Sequence, residues 1–580
     1  MSSKSPSSQE LLWILPKEDP QWLQQIIGEF KIHPIVAQTL VTRGYSSLEE
    51  INTFLYARLP DLHDPFLFKE MPAAVHRIVE ALKKEEKILV YGDNDVDGMT
   101  GTALLTEFLK HIGANVFFYL SQPGSPRSSL YIDALEDALH HGCKLMITVD
   151  SGITSADELL QYTSRGIDVI ITDHHEPTET LPKCTAILNP KLYGEDFPYR
   201  QLVGVGVAFK LAHGITNYLV QEGMLSPKKV DLKRYLDLVA LGTVSDMGAL
   251  SGENRILVKY GIEQLRKTKR IGLAKLVSVS DVELSDINTI LIATKIAPRL
   301  NSLGRIADPR KGVELLLLRN VAAAEKLAIE LDLNNIERQR IERTMSADVE
   351  EILQVHPEIL NNKAIVLSSE NWHPGVIAII STRICKQHNR PTVIIAIENE
   401  IGKGSVRSIP EFPVLDALKN CSDLLLNFGG HDFAAGLSLK KEHIEAFTRR
   451  FIQEGNMKLK DEDVKNKLIL DAACRFDQLT VECMESLSLM EPFGSENPPP
   501  IFYTQAAQSW PPKIVGKTHL KLFLEQGDIM LEGLWPSQAA HTAELRRRHL
   551  LLNIAFSPQL DVFREQSCIK LLIRDCKIDQ

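Results

Sequence analysis

The sequence predicts an α/β protein built on a mainly parallel sheet, with a smaller α/β unit and a β-barrel after it. Three observations carry that expectation. Between residues 87 and 190, short apolar runs (87–91, 115–120, 144–149, 168–172 and 185–188) alternate with segments long enough for helices, which is the spacing of βαβ units. Three of those runs stop at acidic residues: Asp93, Asp150 and Asp173. After residue 465 the pattern changes to β-type alternation, as in His519-Leu-Lys-Leu-Phe-Leu524.

Each element follows in chain order. A chain of 580 residues is too long for one core and implies three or four domains. Residues 1–85 read as a helical segment packing on the catalytic domain, with a helix start at Ser46 or Ser47 followed by Glu49 and Glu50. Residues 86–318 form the parallel-sheet domain. Residues 319–356 read as a connecting helix, because apolar residues recur at helical spacing from Val321 to about Gln354 with no Gly or Pro. Residues 357–460 form the second α/β unit and residues 465–580 the barrel.

Composition narrows the function. The net charge of −10 confines any nucleic-acid surface to local patches. Eight cysteines without a Cys-x-x-Cys argue against a zinc site or a disulfide framework and for a reducing compartment. Residues 1–10 are Ser-rich and lack the apolar core of a signal peptide, and no apolar run approaches the roughly eighteen residues of a membrane span. The expected location is cytoplasmic, with no membrane association.

The chemistry concentrates in Tyr91-Gly-Asp-Asn-Asp-Val-Asp-Gly98, where Asp93, Asp95 and Asp97 crowd one turn. Like charges this close are costly without a cation. The spacing imitates the first half of an EF-hand, but the twelfth position, a bidentate Glu in that loop, is Leu104. Asp150, the triplet Asp173-His174-His175, and Asp246 after a helix at 235–241 add further donors. In a parallel sheet the strand ends lie along one edge, so these residues can converge. Mixed carboxylate and imidazole donors suit Mn²⁺ or Mg²⁺. Their number is enough for two ions sharing an Asp, able to activate water and clamp a phosphoryl oxygen. The second His of the pair is free to bind phosphate or move a proton. His140-His141, in a helical context, reads as an ordinary surface pair.

These blocks resemble the DHH phosphoesterase superfamily, named for the triplet at 173–175. Within it the chain is similar to the RecJ family, bacterial 5′→3′ single-strand-specific DNA exonucleases. The matching blocks are 91–100, 147–153, 171–177 and 242–247, then Ala297-Pro-Arg-Leu-Asn-Ser-Leu-Gly-Arg305 and the partner-domain blocks 372–376, 404–408 and 429–436. Glu491-Pro-Phe-Gly-Ser-Glu-Asn-Pro498 and Val515-Gly-Lys-Thr-His-Leu520 are similar to an oligonucleotide-binding (OB) domain. The resemblance implies a DHH catalytic domain, a DHHA1-type substrate-binding domain and an OB-fold barrel. It implies metal ligation by Asp95 and Asp97 with Asp93 beside them, a bridge between two ions by Asp150, and completion of the second ion's ligand set by His174 and Asp246. His175 would contact the scissile phosphate, and Asp173 would orient His174. The chain departs from the family pattern at Asn94, at Met247-Gly-Ala-Leu250 and at Ser495-Glu496.

The rest of the chain is read beside that resemblance. Arg299, Asn301 and Arg305 lie in a Pro/Gly-flanked stretch that reads as a loop; they suit phosphate or base-edge contacts, or else a buried inter-domain ion pair. The basic run from Arg255 to Arg270 is either a solvated face or a backbone guide. Ser405, Arg407, Ser408 and His431, near glycine-rich turns, are candidate phosphate contacts. In the barrel, Trp510, Trp535 and Phe523 belong either to the core or to a stacking surface, and Arg546, Arg547 and Arg548 add charge.

The resemblance implies degradation of single-stranded DNA to nucleoside 5′-monophosphates in repair and recombination by a monomer. Single-strand binding protein, a RecQ-like helicase and mismatch-repair factors are its expected partners. Three rivals predict other patterns. A small-substrate DHH phosphodiesterase would lack the barrel, a non-catalytic replication-fork scaffold would have lost donors, and a plain single-strand binder would need no acidic cluster.

Overall fold

The computed structural model describes residues 11–122, 127–226, 228–547, 549–563 and 566–579; the Ser-rich residues 1–10 and Arg548 of the basic run lie outside them. The chain divides into two compact units.

One unit, residues 58–464 with 494–497, holds two sheets. The first is five-stranded and wholly parallel, in the spatial order Asn115–Leu120, Lys87–Gly92, Cys143–Val149, Asp168–Thr172, Ala186–Leu188. The chain leaves the Lys87–Gly92 strand to one side and returns on the other. This creates a switch point between that strand and Cys143–Val149, where the crevice of an open α/β sheet forms. Burial on both faces explains the near-continuous apolar strands. The helices Val96–His111, Gly204–Gln221 and Leu236–Ser245 supply much of the core. Met71–Lys83 buries Met71, Val75, Ile78 and Val79 in that same core.

The helix Val321–Val355 spans 35 residues, as the periodicity predicts. It leads into a second five-stranded sheet, in the order Asn427–His431, Ala434–Lys440, Ile401–Arg407, Thr392–Glu398, Ile365–Ser369. Two positions where the chain departs from the family pattern meet in this unit. The Leu250 N–H donates to the Ser495 carbonyl (3.0 Å), and the Ser251 hydroxyl contacts Glu496 (3.3 Å).

The other unit joins residues 11–57 to the C-terminal barrel. Five strands close the barrel (Phe502–Val515, His519–Gln526, Ile529–Trp535, Leu550–Phe563 and Gln566–Ile578), with the first pairing to the fourth. The helices Pro20–Phe30, Pro34–Thr42 and Leu48–Tyr56 place Ile26, Val36, Leu40, Ile51 and Leu55 in one core with Phe502, Leu522 and Phe556 of the barrel. Ser47 caps the third helix, accepting from the Glu50 N–H as the sequence predicts.

This corrects the expected boundary. The N-terminal segment does not pack as a whole on the catalytic domain: it divides near residue 57, and the earlier part completes the barrel's core. An amphipathic pattern shows that a helix buries one face, without naming the surface that receives it. Here the seam is fixed by a parallel pair, Leu12–Ile14 with Lys467–Ile469, and by Arg43, whose Nε lies 2.9 Å from Asp471.

Candidate metal centre

The acidic turn is built by its own capping chemistry. Asp95 is the N-cap of the helix Val96–His111 and accepts from the Gly98 N–H at 3.0 Å. Asp97 sits in the first turn, where the helix dipole favours a carboxylate. Gly98 is required by close approach, since a Cβ there would lie 2.7 Å from the Asp93 carbonyl carbon. Asp93 is oriented by Ser121, whose hydroxyl donates to it at 2.7 Å.

Asp150 follows Val149 directly, at the other side of the switch point, and its backbone is left-handed (φ 58°). For a residue other than glycine this is an uncommon conformation, of the kind that gathers at functional sites. Asp173, His174 and His175 follow the next strand, and Asp246 caps the C-terminus of Leu236–Ser245.

The donors converge as the strand ends require. Asp93, Asp95 and Asp150 offer oxygens within 4.8 Å of one another, and so do the donors of Asp97, His174 and Asp246. His174 Nε2 lies 3.0 Å from Asp150, 3.7 Å from Asp246 and 3.9 Å from Asp97. Asp150 is therefore within reach of both groups.

Electrostatics marks the site. Burial, then repulsion from Asp246 and Asp95, pushes the Asp97 carboxyl well above the ordinary range. Burial and the charge of Asp97 do the same to Asp150. Asp246 rises to about 7 through burial and the proximity of Asp95. Burial lowers His174 to about 3, so its imidazole is neutral and able to donate a lone pair. One oxygen of Asp150 is buried with no hydrogen bond. Stacked, desolvated carboxylates beside a neutral imidazole fit a divalent cation: the donors are of the right type, and without positive charge they repel.

The two histidines have separate fates. His175 Nδ1 lies 2.8 Å from Asp173. Burial opposes its charge, but the Asp173 bond and the surrounding carboxylates raise it to about 9. Asp173 also accepts from the backbone N–H groups of His174 and His175. This revises one expectation: the carboxylate bonds the ring of His175, while His174 receives only a backbone contact and its ring faces the carboxylates of Asp150, Asp246 and Asp97. The His175 ring lies nearly parallel to that of His431 (14°), with centroids 6.5 Å apart, so the second sheet brings its histidine to the cluster.

The other predicted contacts divide. Residues 297–306 form a helix and not a loop, since Pro298 occupies its first turn, where no N–H is needed. Arg299 is committed within the fold, 2.8 Å from Asp332 and donating to the Val279 carbonyl, which is the structural alternative. Asn301 is half-buried on the same helix. Arg305 donates to the Gly375 carbonyl (3.1 Å), and its charge is disfavoured first by burial and then by Arg338 and Arg407. Arg407 reaches Ser405 (3.3 Å) and the Val406 carbonyl, while the Ser408 hydroxyl donates to Phe412. Arg338 is paired with Glu342, but among the described residues Arg305 and Arg407 form no ion pair with a carboxylate, an arrangement suited to an anion.

Arg255 is buried, and Arg270 is paired with Asp237 and Glu107, so much of the basic run at 255–270 is architectural. In the barrel, Trp535 is core and Trp510 is half exposed. The ammonium groups of Lys513 and Lys521 each lie 5.5 Å from the centre of the Phe523 ring.

Sequence reasoning missed the backbone of Gly204 and Val205, both of whose N–H groups donate to Asp97, at 2.6 and 2.8 Å. The glycines in Val203-Gly-Val-Gly206 were the available signal.

Comparison with known proteins agrees with this geometry. Residues 87–243 match the DHH family, N-terminal domain; residues 361–455 match the DHHA1 domain; residues 470–575 match the RecJ OB domain. The single-stranded-DNA-specific exonuclease RecJ of Haemophilus influenzae is 32% identical over 566 residues, covering 93% of this chain and 96% of the relative. That of Bacillus subtilis is 35% identical over 90% of this chain, which spans 65% of that longer relative. The crystal structure of Thermus thermophilus RecJ in complex with Mn²⁺ superposes with a TM-score of 0.83 at 28% identity, covering 98% of this chain and 80% of that one. Among the described residues no helix is long and apolar enough to cross a membrane. With the three domains in order and the donor cluster in place, the chain belongs to the RecJ family of DHH-superfamily exonucleases.

Proposed function

We propose that the protein is a metal-dependent exonuclease that degrades single-stranded DNA from the 5′ end to nucleoside 5′-monophosphates. The observation that carries this is the buried donor cluster at the sheet's switch point, with His431 of the second domain against His175 and the buried Arg305 within electrostatic range of Asp95. The polarity rests on family membership.

Asp93, Asp95 and Asp150 would hold one ion and Asp97, His174 and Asp246 the other, with Asp150 shared. Bound Mn²⁺ or Mg²⁺ would supply charge neutralisation at phosphorus and a lowered pKa for the attacking water. The remaining work falls to the protein. Asp173 fixes His175 and sustains its positive charge, so His175 presents an imidazolium to the scissile phosphate. Burial and His175 keep His431 in the neutral range, where it acts as a hydrogen-bonding partner. Arg305, Arg407 and Ser405 suit the phosphate of the terminal nucleotide, and Asn301, on the same helix as Arg305, completes that face. Ser408 shapes the adjoining turn.

The barrel supplies a stacking surface around Trp510 and Phe523. A cytoplasmic setting and action with single-strand binding protein, a RecQ-like helicase and mismatch-repair factors in DNA repair and recombination are part of the same reading, as is a monomeric state.

Digestion of 5′-labelled and 3′-labelled single strands, beside a blunt duplex, with Mn²⁺, Mg²⁺ or EDTA tests it, with Asp97→Ala as control. Immediate mononucleotide release from the 5′ label, abolished by EDTA and by the substitution, is the expected result. Cleavage confined to the shortest oligomers points instead to a small-substrate phosphodiesterase. Binding without cleavage points to a scaffold.

A further inference from the structure

The helix Gly204–Gln221 begins against the cluster and contributes no side chain to it. Its first intrahelical acceptor is filled by Val207, whose N–H donates to the Val203 carbonyl. The N–H groups ahead of that bond have no helical acceptor. Two of them are aimed at one carboxylate: Gly204 donates to Asp97 Oδ2 at 2.6 Å and Val205 to Asp97 Oδ1 at 2.8 Å. Asp97 is 1% exposed, so no water competes for those bonds. The same glycine touches a second donor. A Cβ on Gly204 would stand 2.5 Å from Asp150 Cβ and 2.8 Å from its Cγ. That contact is closer than real side chains tolerate, and Asp150 is already held in a left-handed backbone conformation from which it cannot easily yield.

We propose that the first turn of this helix is the positioning element of the metal centre: its two amides fix Asp97 with one lone pair per oxygen left over, and the missing side chain of Gly204 leaves Asp150 its place between the two ions. The inference rests on the metal-dependent reading given above. Gly204 and Val205 touch neither ion nor substrate; they act through the two carboxylates. The bidentate backbone clamp fixes both oxygens of Asp97 and favours its charged form against the desolvation that pushes the carboxyl up, without restoring the ordinary range. The helix dipole adds to that effect at the same end.

The test compares Gly204→Ala with Gly206→Ala, two residues along the same helix, where a Cβ meets only the flexible Leu202 side chain at 3.0 Å. Both substitutions raise helix propensity alike, so propensity cancels. Mn²⁺ affinity is measured on the full-length protein by calorimetry, melting is followed in EDTA, and kcat and KM are measured for a single strand at saturating Mn²⁺.

Gly204→Ala is expected to weaken Mn²⁺ binding by about 10- to 100-fold, the range seen when groups that orient metal ligands are removed. It should lower kcat with KM for DNA nearly unchanged, while Gly206→Ala matches wild type. Val205→Pro removes one clamp N–H at a helix position that needs no intrahelical donor, and should weaken Mn²⁺ in the same direction even if the alanine variant fails to fold. Wild-type Mn²⁺ affinity in Gly204→Ala or Val205→Pro would overturn the clamp alone. So would a loss of activity that merely follows a fall in melting temperature in EDTA. Absence of Mn²⁺ binding by the wild-type protein would overturn the metal-dependent reading, and the clamp with it.

Discussion

One helix, Gly204–Gln221, touches two buried charge arrangements, and they are opposites. At its start it meets Asp97 and Asp150, which are stacked with further carboxylates whose charge the His175 imidazolium, 4.0 Å from Asp150, offsets only in part. Farther along, Lys210 is fully buried and sits 2.8 Å from Glu253, itself 2% exposed at the side chain. Lys210 also donates to the His63 carbonyl at 2.9 Å and lies over the Tyr199 ring. The second arrangement balances its charge, as a folding element must. The first keeps an excess of carboxylates. A like-charged cluster is unfavourable for the apoprotein, so its presence is better explained by a ligand that supplies the missing charge. Balance separates the groups that hold the fold from those that serve the reaction.

The largest expected effect breaks the unbalanced arrangement. Asp150→Asn removes a charge that the apoprotein stabilises poorly and that both ions would share. Its kcat should fall by at least about three orders of magnitude, the scale of withdrawing several kcal/mol of charge stabilisation. In EDTA, the same variant should melt about two to four degrees higher than wild type, because repulsion is relieved. A lower melting temperature in EDTA would mean that the cluster is architectural after all. Lys210→Met makes the converse prediction. It leaves the Glu253 carboxylate buried without its ammonium partner, with only the His63 contacts remaining, which should destabilise the protein by roughly 3–5 kcal/mol. Chemical denaturation measures that loss, while Mn²⁺ affinity of the folded fraction should stay at its wild-type value. The double variant Lys210→Met with Glu253→Gln should recover much of the stability, since no uncompensated charge remains.

The same contrast explains what the sequence disclosed. The convergence of Asp93, Asp95, Asp97, Asp150 and His174 was legible because a parallel sheet brings strand ends to one edge, whereas Asp246, at the end of a helix, was legible from the block at 242–247 that resembles the family. The connecting helix and the strands of the first sheet were legible from periodicity and spacing, whereas the second sheet was placed only as part of a smaller α/β unit, without its strands. Partners that depend on side-chain direction were not legible. Asp173 was expected to serve His174, but just past the strand end its oxygen bonds the His175 ring. Arg299 carried the residue type of a phosphate contact, and only the fold reveals Asp332 beside it. The division near residue 57 was invisible because an amphipathic helix does not specify its receiving surface. Backbone donors such as those of Gly204 and Val205 leave almost no trace in residue identity, since every residue but proline has the same N–H.

The smallest expected effect lies on the same helix and concerns a buried group with neither balance nor function. His213 Nδ1 is buried without a hydrogen bond, and burial, followed by the charge of Lys210, lowers its pKa to about 4. The unfolded chain therefore binds more protons than the folded one between that value and the ordinary 6.5. Stability from keeping His213 neutral is fully present above pH 6.5 and drains away as the pH falls toward 4, by at most about 3 kcal/mol. His213→Leu should leave the melting temperature near its wild-type value at pH 8 and flatten its decline between pH 6.5 and 5. In Lys210→Met the neighbouring charge is gone, so His213 should titrate closer to its ordinary value and its share of the decline should shrink. An unchanged acid limb in His213→Leu would assign the decline to the carboxylate pairs elsewhere, and would remove His213 from the charges that the fold has to manage.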